Sequence, residues 1–247
     1  MSSCYQLSST CMSVWAPMIH CFDTMNQFVR LDIGPAGFRT QSIDHDDTTV
    51  LVCCLPVLSV GLPTPWSSSV YMRCDKILQF IQYVNGAVSI ALDEEGQWRV
   101  QNDDTGQFCL WGSETGGRHT PPPPTTVPLV GGPTGCAMRL PVEDFLLYVQ
   151  QISLCESLVR VASHGTNDLT LTSRGELLSV RIQNHSPPAV PPVSVVHCTF
   201  KYMRAILSIL QKVDTLDIVL IDQAGMYIEV PIGTGTLSVL LKDKTAH

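Results

Sequence analysis

Seven histidines, ten cysteines and 22 acidic residues give the chain every group that catalysis or metal binding needs, but their spacing assembles none of the familiar constellations. There is no GxSxG, no P-loop, no HExxH and no GxGxxG. His20, His164, His185 and His197 are scattered, with no nucleophile beside them. The acidic runs Asp44-His45-Asp46-Asp47 and Asp93-Glu94-Glu95 carry enough oxygen ligands to suggest a divalent cation. Each falls at the tip of a hairpin pattern, where carboxylates serve simply to solvate a turn. No catalytic residue, metal or cofactor is expected; an enzyme with a site between the two halves is the remote alternative.

The cysteines, at 4, 11, 21, 53, 54, 74, 109, 136, 155 and 198, form no CxxC and no Cys/His cluster with zinc spacing. Most lie inside apolar runs such as LVCCL and read as small buried hydrophobes in a reducing compartment. The start, MSSCYQLSS, lacks the basic and apolar regions of a secretory signal. The longest apolar run, Val50 to Leu62, spans 13 residues and holds a proline, too short to cross a bilayer. A soluble intracellular protein without a membrane partner is expected.

The remaining chemistry is binding. Arg73, Lys76, Lys201, Arg204 and Lys212 fall on or beside two segments of helical spacing, where cations either meet phosphate or solvate a helix. A net charge of −7 excludes a surface that grips nucleic acid all over, but not a locally basic face.

These side chains are positioned by a chain that says the same thing twice, either side of Gly116 to Cys136, GGRHTPPPPTTVPLVGGPTGC. Four consecutive prolines donate no N–H and fix φ, so this strap is extended and polyproline-like. Before it, helical spacing runs over Cys11 to Asn26, with Ser9 or Thr10 as cap. Pro17 implies a later start or a kink. VRLDIGPAGFRTQSID is a hairpin about Gly34 to Gly37, and Thr48 to Leu55 a third strand. After a loop, Ser68 or Ser69 caps a second helix with Val70, Cys74, Ile77, Ile81 and Val84 inward. VSIALDEEGQWRVQND and QFCLW add three more strands.

Beyond the strap, CAMRL is a strand. Pro141 then opens a helix with Glu143 and Asp144 in its first turn and Phe145, Val149 and Ile152 as its stripe. Three strands follow, then a proline-rich bend, VSVVHCTF, a helix over Thr199 to Val213 and three closing strands. Four strand–turn–strand units, each preceded by an amphipathic helix, recur about every 50 to 70 residues, two per half. The expected fold class is α+β, two similar domains each with two helices packed on antiparallel sheets. The N-terminal domain covers 1–117, the connector 118–135 and the C-terminal domain 136–247.

That order resembles the DNA sliding-clamp family, in its proliferating cell nuclear antigen branch. The resemblance is carried by LDIGPAGFRTQSID, SVYMRCDKILQFI, VPLVGGPTGCAMRLP and YIEVPIGTGTLSVLLKDK, collinear over nearly the whole chain. It implies a homotrimeric ring encircling duplex DNA without reading sequence, with helices lining the bore. It also implies a processivity factor, loaded by a clamp loader, that tethers DNA polymerase and other replication and repair proteins in the nucleus or at a site of viral DNA replication. The alternative is a diverged paralogue: a checkpoint-type heterotrimer subunit, or a monomeric or dimeric viral factor.

By the same resemblance, Arg73, Lys76, Lys201, Arg204 and Lys212 are the DNA-facing residues. Ala16, Pro17, Asp23, Leu147 and Gln150 stand where the family carries basic residues. The ring edges are Gln107 to Trp111, with Phe108, Cys109, Leu110 and Trp111, and Glu176 to Gln183, with Leu178, Val180 and Ile182. The partner-peptide groove takes Ile43, Leu129, Val130, Pro133, Gly225, Leu240 and Leu241.

Overall fold

The structure, a computed structural model, describes residues 4–60, 66–84, 86–113, 135–152, 158–163, 168–173, 179–183, 194–221 and 224–245. The strap therefore lies outside the described residues, except that Gly135 and Cys136 begin a strand. The chain forms two compact units, Met1–Ser42 with Val52–Pro124 and Ile232–Leu237, and Ile43–Leu51 with Thr125–Pro231 and Ser238–His247.

The first unit opens with strand β1 (Cys4–Leu7) and helix α1 (Ser9–Met25). Ser8, one residue before the expected caps, accepts the Cys11 N–H on its Oγ at 3.2 Å. The helix neither starts late nor stops at Pro17, which lies inside it. A proline there forfeits one helical bond and costs about 3 kcal/mol. Burial of Trp15, Met18, Ile19 and Phe22 around it is of the size needed to offset that. The hairpin of β2 (Phe28–Gly34) and β3 (Gly37–Ile43) turns on Pro35-Ala36, with Gly34 opposite Gly37. Gly37 takes φ +129, a backbone that a side chain would strain.

Strand β4 (Thr49–Leu55) follows, then the short β5 (Leu58–Val60), which falls where the sequence suggested only a loop. The segment expected to begin the second helix is a strand, β6 (Ser68–Arg73), paired with β2. Val70, Tyr71 and Met72 are all buried, so both faces of β6 are covered and no alternation marked it as a strand. Helix α2 covers only Cys74–Ile81, and no side chain caps it. Strands β7 (Val88–Leu92), β8 (Trp98–Asn102) and β9 (Phe108–Trp111) complete the unit. The strand orders are β4-β3-β2-β6 and β5-β1-β7-β8-β9. Between sheets and helices lies an aromatic cluster, in which Trp15 meets Phe38 edge-on at 5.1 Å and Phe80 meets Trp111 at 5.4 Å.

The second unit runs β10 (Gly135–Pro141), α3 (Val142–Ile152), β11 (Leu158–Ser163), β12 (Asp168–Ser173), β13 (Ser179–Gln183) and β14 (Ser194–Thr199). It closes with α4 (Met203–Leu210), β15 (Thr215–Ile221), β16 (Gly225–Ile232) and β17 (Gly235–Lys242). Pro141 ends β10 opposite Thr215 instead of opening α3. Helix α4 is shorter than its pattern at both ends: Thr199 belongs to β14, while Lys212 and Val213 donate back to Ile209 and Leu210 in a closing turn.

The two units repeat one topology. Order β13-β12-β11-β14 in the second matches β4-β3-β2-β6 in the first, and β17-β16-β15-β10 matches β9-β8-β7-β1. The four hairpins of the sequence repeat are thus β2–β3, β7–β8, β11–β12 and β15–β16. Strand β5 has no counterpart among the described residues. In the eight-stranded sheet β4 is bonded to β17; among the described residues their equivalents β13 and β9 are each the last strand of a sheet. Buried thiols run through both cores; burial pushes Cys53, Cys74 and Cys198 up to about 12.

Candidate functional site

Three surfaces hold the residues to which the sequence assigns binding. The first is the outer side of the helix pairs, α1 on α2 and α3 on α4. Helix α1 buries Cys11, Met12, Trp15, Ile19 and Phe22, and turns Ser13, His20, Asp23 and Thr24 to solvent. On α2, Asp75, Lys76 and Gln79 are exposed; on α3, Glu143, Asp144, Leu147 and Gln150; on α4, Arg204. Lys201 and Lys212 flank α4 and are exposed, with the Lys201 ammonium 5.1 Å from the Tyr202 ring centroid. The four helices together carry two basic residues, Lys76 and Arg204, against four acidic ones, Asp23, Asp75, Glu143 and Asp144. Their faces offer little net attraction for phosphate.

Arg73 contributes less than its exposure suggests. Its Nε and Nη2 fork the Asp75 carboxylate at 3.1 and 2.7 Å, and Asp75 also accepts the Lys76 N–H at 2.8 Å. Arg73 precedes the helix in extended conformation, so no helical spacing announced this pairing. Lys76 lines a cavity of about 440 Å³ with Met72, Gln79, Phe80 and the β9 end from Cys109 to Gly112, which sequence reasoning missed. That places Lys76 beside a sheet edge as well as on a helix face.

The second surface is formed by two of the sheet edges among the described residues, β9 and β13. On β9, Phe108 and Leu110 are 54% and 51% exposed, Cys109 is half-buried with its thiol pushed up to about 11 by burial, and Trp111 is buried. The Arg99 guanidinium sits 4.2 Å from the Phe108 ring centroid. On β13, Val180 and Ile182 stand opposite Leu171 and Leu169 of β12; Leu178 lies outside the described residues. Each edge presents a row of backbone donors and acceptors to any strand that aligns with it.

The third surface surrounds β17, and of its expected members Leu129, Val130 and Pro133 lie outside the described residues. Ile43 is half-buried, Leu240 is 9% exposed and Leu241 is fully buried. Leu241 therefore serves the core. Gly225 takes φ +133, and the Leu241 carbonyl crosses so close that a Cβ there would collide with it. The Ala224 carbonyl accepts the Asp243 N–H at 3.0 Å and the Thr48 carbonyl accepts the Lys242 N–H at 2.8 Å. Thr48 is held in turn by Asp44, whose carboxylate accepts its N–H and Oγ1–H at 2.6 Å each and the Thr49 N–H at 3.0 Å. Asp93 accepts the Glu95 and Gln97 N–H groups in the same manner. Both acidic runs thus organise turns. His20 is exposed and His197 half-buried, on different units; His164 and His185 lie outside the described residues.

No known family profile and no curated protein sequence matches the chain. Solved structures do. A PCNA2–PCNA3 complex from Sulfolobus tokodaii is similar with a TM-score of 0.66 at 12% identity, covering 99% of this chain and 100% of that one. The Proliferating Cellular Nuclear Antigen of Entamoeba histolytica is similar with a TM-score of 0.68 at 10% identity, covering 98% of each. The fold is that of a sliding clamp, mixed helix and antiparallel sheet in two repeated units. Within that class it is the proliferating cell nuclear antigen type, from one end of the chain to the other.

Proposed function

We propose that the chain is a non-enzymatic clamp subunit that joins its neighbours into a ring around duplex DNA, where it tethers a polymerase and other replication or repair proteins. The observation that carries this is the unequal use of equivalent strands: β4 bonds β17 within the chain, while among the described residues β13 and β9 are left at sheet edges. A neighbour's β13 on this chain's β9 repeats the internal pairing and closes the ring head to tail. The cavity lined by Lys76, Phe80 and Leu110 adjoins that junction and receives a neighbour's side chain. Lys76, Lys201, Arg204 and Lys212 meet phosphate in the bore. The surface around Ile43 and Leu240 takes the peptide motif of client proteins, and the setting is the nucleus or a site of viral DNA replication.

A second reading is a mixed ring, in which other clamp-fold subunits supply the positive charge. It is favoured by the excess of acidic over basic residues on the four helices. Light scattering of the purified chain, alone and with a primed circular template and polymerase, separates the readings. A trimer that extends synthesis supports the first; a monomer that does so only with a second clamp-fold chain supports the second. A monomer inert in both settings sinks the proposal.

A further inference from the structure

Among the described residues the large exposed hydrophobics are Leu58, Val60, Tyr83, Phe108, Leu110 and Leu147, and four of the six lie on one sheet face. The register shows it. Leu58 stands opposite Gln6, Gln6 opposite Ser89, Ser89 opposite Gln101, and Gln101 opposite Phe108, so one row crosses all five strands. The adjacent row starts at Val60 opposite Cys4, and ends with Ala91 opposite Arg99 and Arg99 opposite Leu110. The opposite face carries the buried Tyr5, Leu7, Ile90, Val100 and Trp111. The outward face is thus apolar at both edges and uncharged between, with one cation. Strand β5 supplies one of its two apolar edges.

We infer that this face docks a short segment of a partner protein, apolar with a single carboxylate set to meet Arg99. Charge decides the occupant. The chain has 22 acidic residues against 15 basic ones, yet none of the acidic ones stands on these two rows. At the margins, Asp103 is held by Gln6 Nε2 at 2.7 Å, and Asp93, two residues beyond Ala91, accepts the Glu95 and Gln97 N–H groups in the β7–β8 turn. A second copy laid face to face with these rows in register would bring arginine to arginine. The Arg99 guanidinium lies over the Phe108 ring, 4.2 Å from its centroid, a contact that uses its face and leaves the N–H donors for an acceptor alongside. Five strands about 4.8 Å apart make the footprint about 19 Å long, while two rows make it only about 7 Å wide, the shape of a segment and not of a globular surface. Pairing at the β9 edge uses backbone groups and leaves this face outward, so the inference stands whether or not the chain closes a ring.

The footprint fixes the probe. Arg99 lies three strand spacings, about 14 Å, from Val60, which an extended chain covers in about four residues. The peptide is Ser-Leu-Ser-Ser-Ser-Glu-Ser-Leu-Ser, fluorescein-labelled, with a twin carrying lysine for glutamate. Anisotropy titration of the full chain is expected to show the glutamate peptide bound about tenfold more tightly than its twin. Arg99→Glu reverses that order, and Leu58→Asp weakens both, with unchanged melting and light scattering because Leu58 lies at the edge remote from β9. Equal binding of the twins, no binding at millimolar peptide, or an Arg99→Glu variant that keeps the original order overturns the inference. So does self-association abolished by Leu58→Asp, which assigns the face to a second copy, and so does binding of phosphatidylserine vesicles in place of the peptide.

Discussion

Trp15 Nε1 donates a hydrogen bond to Thr40 Oγ1 at 2.8 Å where neither side chain meets water, their exposures being 1% and 0%. This bond pins α1 to the inner side of β3. Thr40→Val keeps the shape and removes the acceptor, leaving an indole N–H buried without its partner. A loss of about 1–3 kcal/mol is expected, read as a lower urea midpoint at unchanged slope. An unchanged midpoint would mean the indole finds another acceptor.

Gly225 is irreplaceable for a different reason, the Leu241 carbonyl that crosses it. Gly225→Ala adds backbone strain of about 1–3 kcal/mol and pushes the β17 end outward. A lower melting temperature and faster amide exchange at Asp243, whose N–H bonds the Ala224 carbonyl, are the expected readouts. Exchange at Asp243 as slow as in the parent would refute the mechanism.

Proline at Val180 or at Cys109 disrupts the ladder of an edge strand that the ring needs. Either variant is expected to remain monomeric while the parent assembles, and mixing the two should not restore rings. Assembly of both variants at the parental concentration would show that these edges are not the junction.

Lys76 and Lys201 are exposed, so reversing both to glutamate should leave the melting curve in place. Processive synthesis on a primed circle should fall. Each lysine–phosphate pairing removed should flatten the salt dependence of DNA binding by about 0.9 in log–log slope. A double variant with the parental salt profile would leave these residues as solubilising charges.

Stability should decline in alkali, and the sign follows from the thiols. Cys53, Cys74 and Cys198 are raised from 9.0 to about 12, by burial first, so the folded state holds protons that the unfolded chain releases. Their contribution is complete below pH 9.0 and drains away as pH rises towards about 12. Urea titrations along that range should show the midpoint falling, and substituting Cys53→Ala should shallow the fall. A flat profile would contradict the burial.

How much of this was legible in the sequence depended on which faces are wet. The four hairpins announced themselves because their strands alternate between core and solvent, as in Val159, Arg160 and Val161. Ser68 to Arg73 did not, because Val70, Tyr71 and Met72 are buried on both sides and their spacing to Cys74 and Ile77 imitates a helix. Pro17 misled in the opposite direction, since a local breaker was overridden by tertiary burial. Of the candidate site, the edge strands could be named, but the Arg73–Asp75 fork and the Lys76 cavity depend on where a helix starts and what lies across from it. Leu241 was named for the groove through the family resemblance alone, which carries no information about its burial.

The buried cysteines also make each unit its own clock. A thiol sealed at Cys53 or Cys74 in one unit, or at Cys198 in the other, reacts with an alkylating reagent only when its surroundings come apart. The order in which these sites are trapped under native conditions, resolved by peptide mass, therefore reports which half of the molecule opens first and how often, with no probe added and no residue changed.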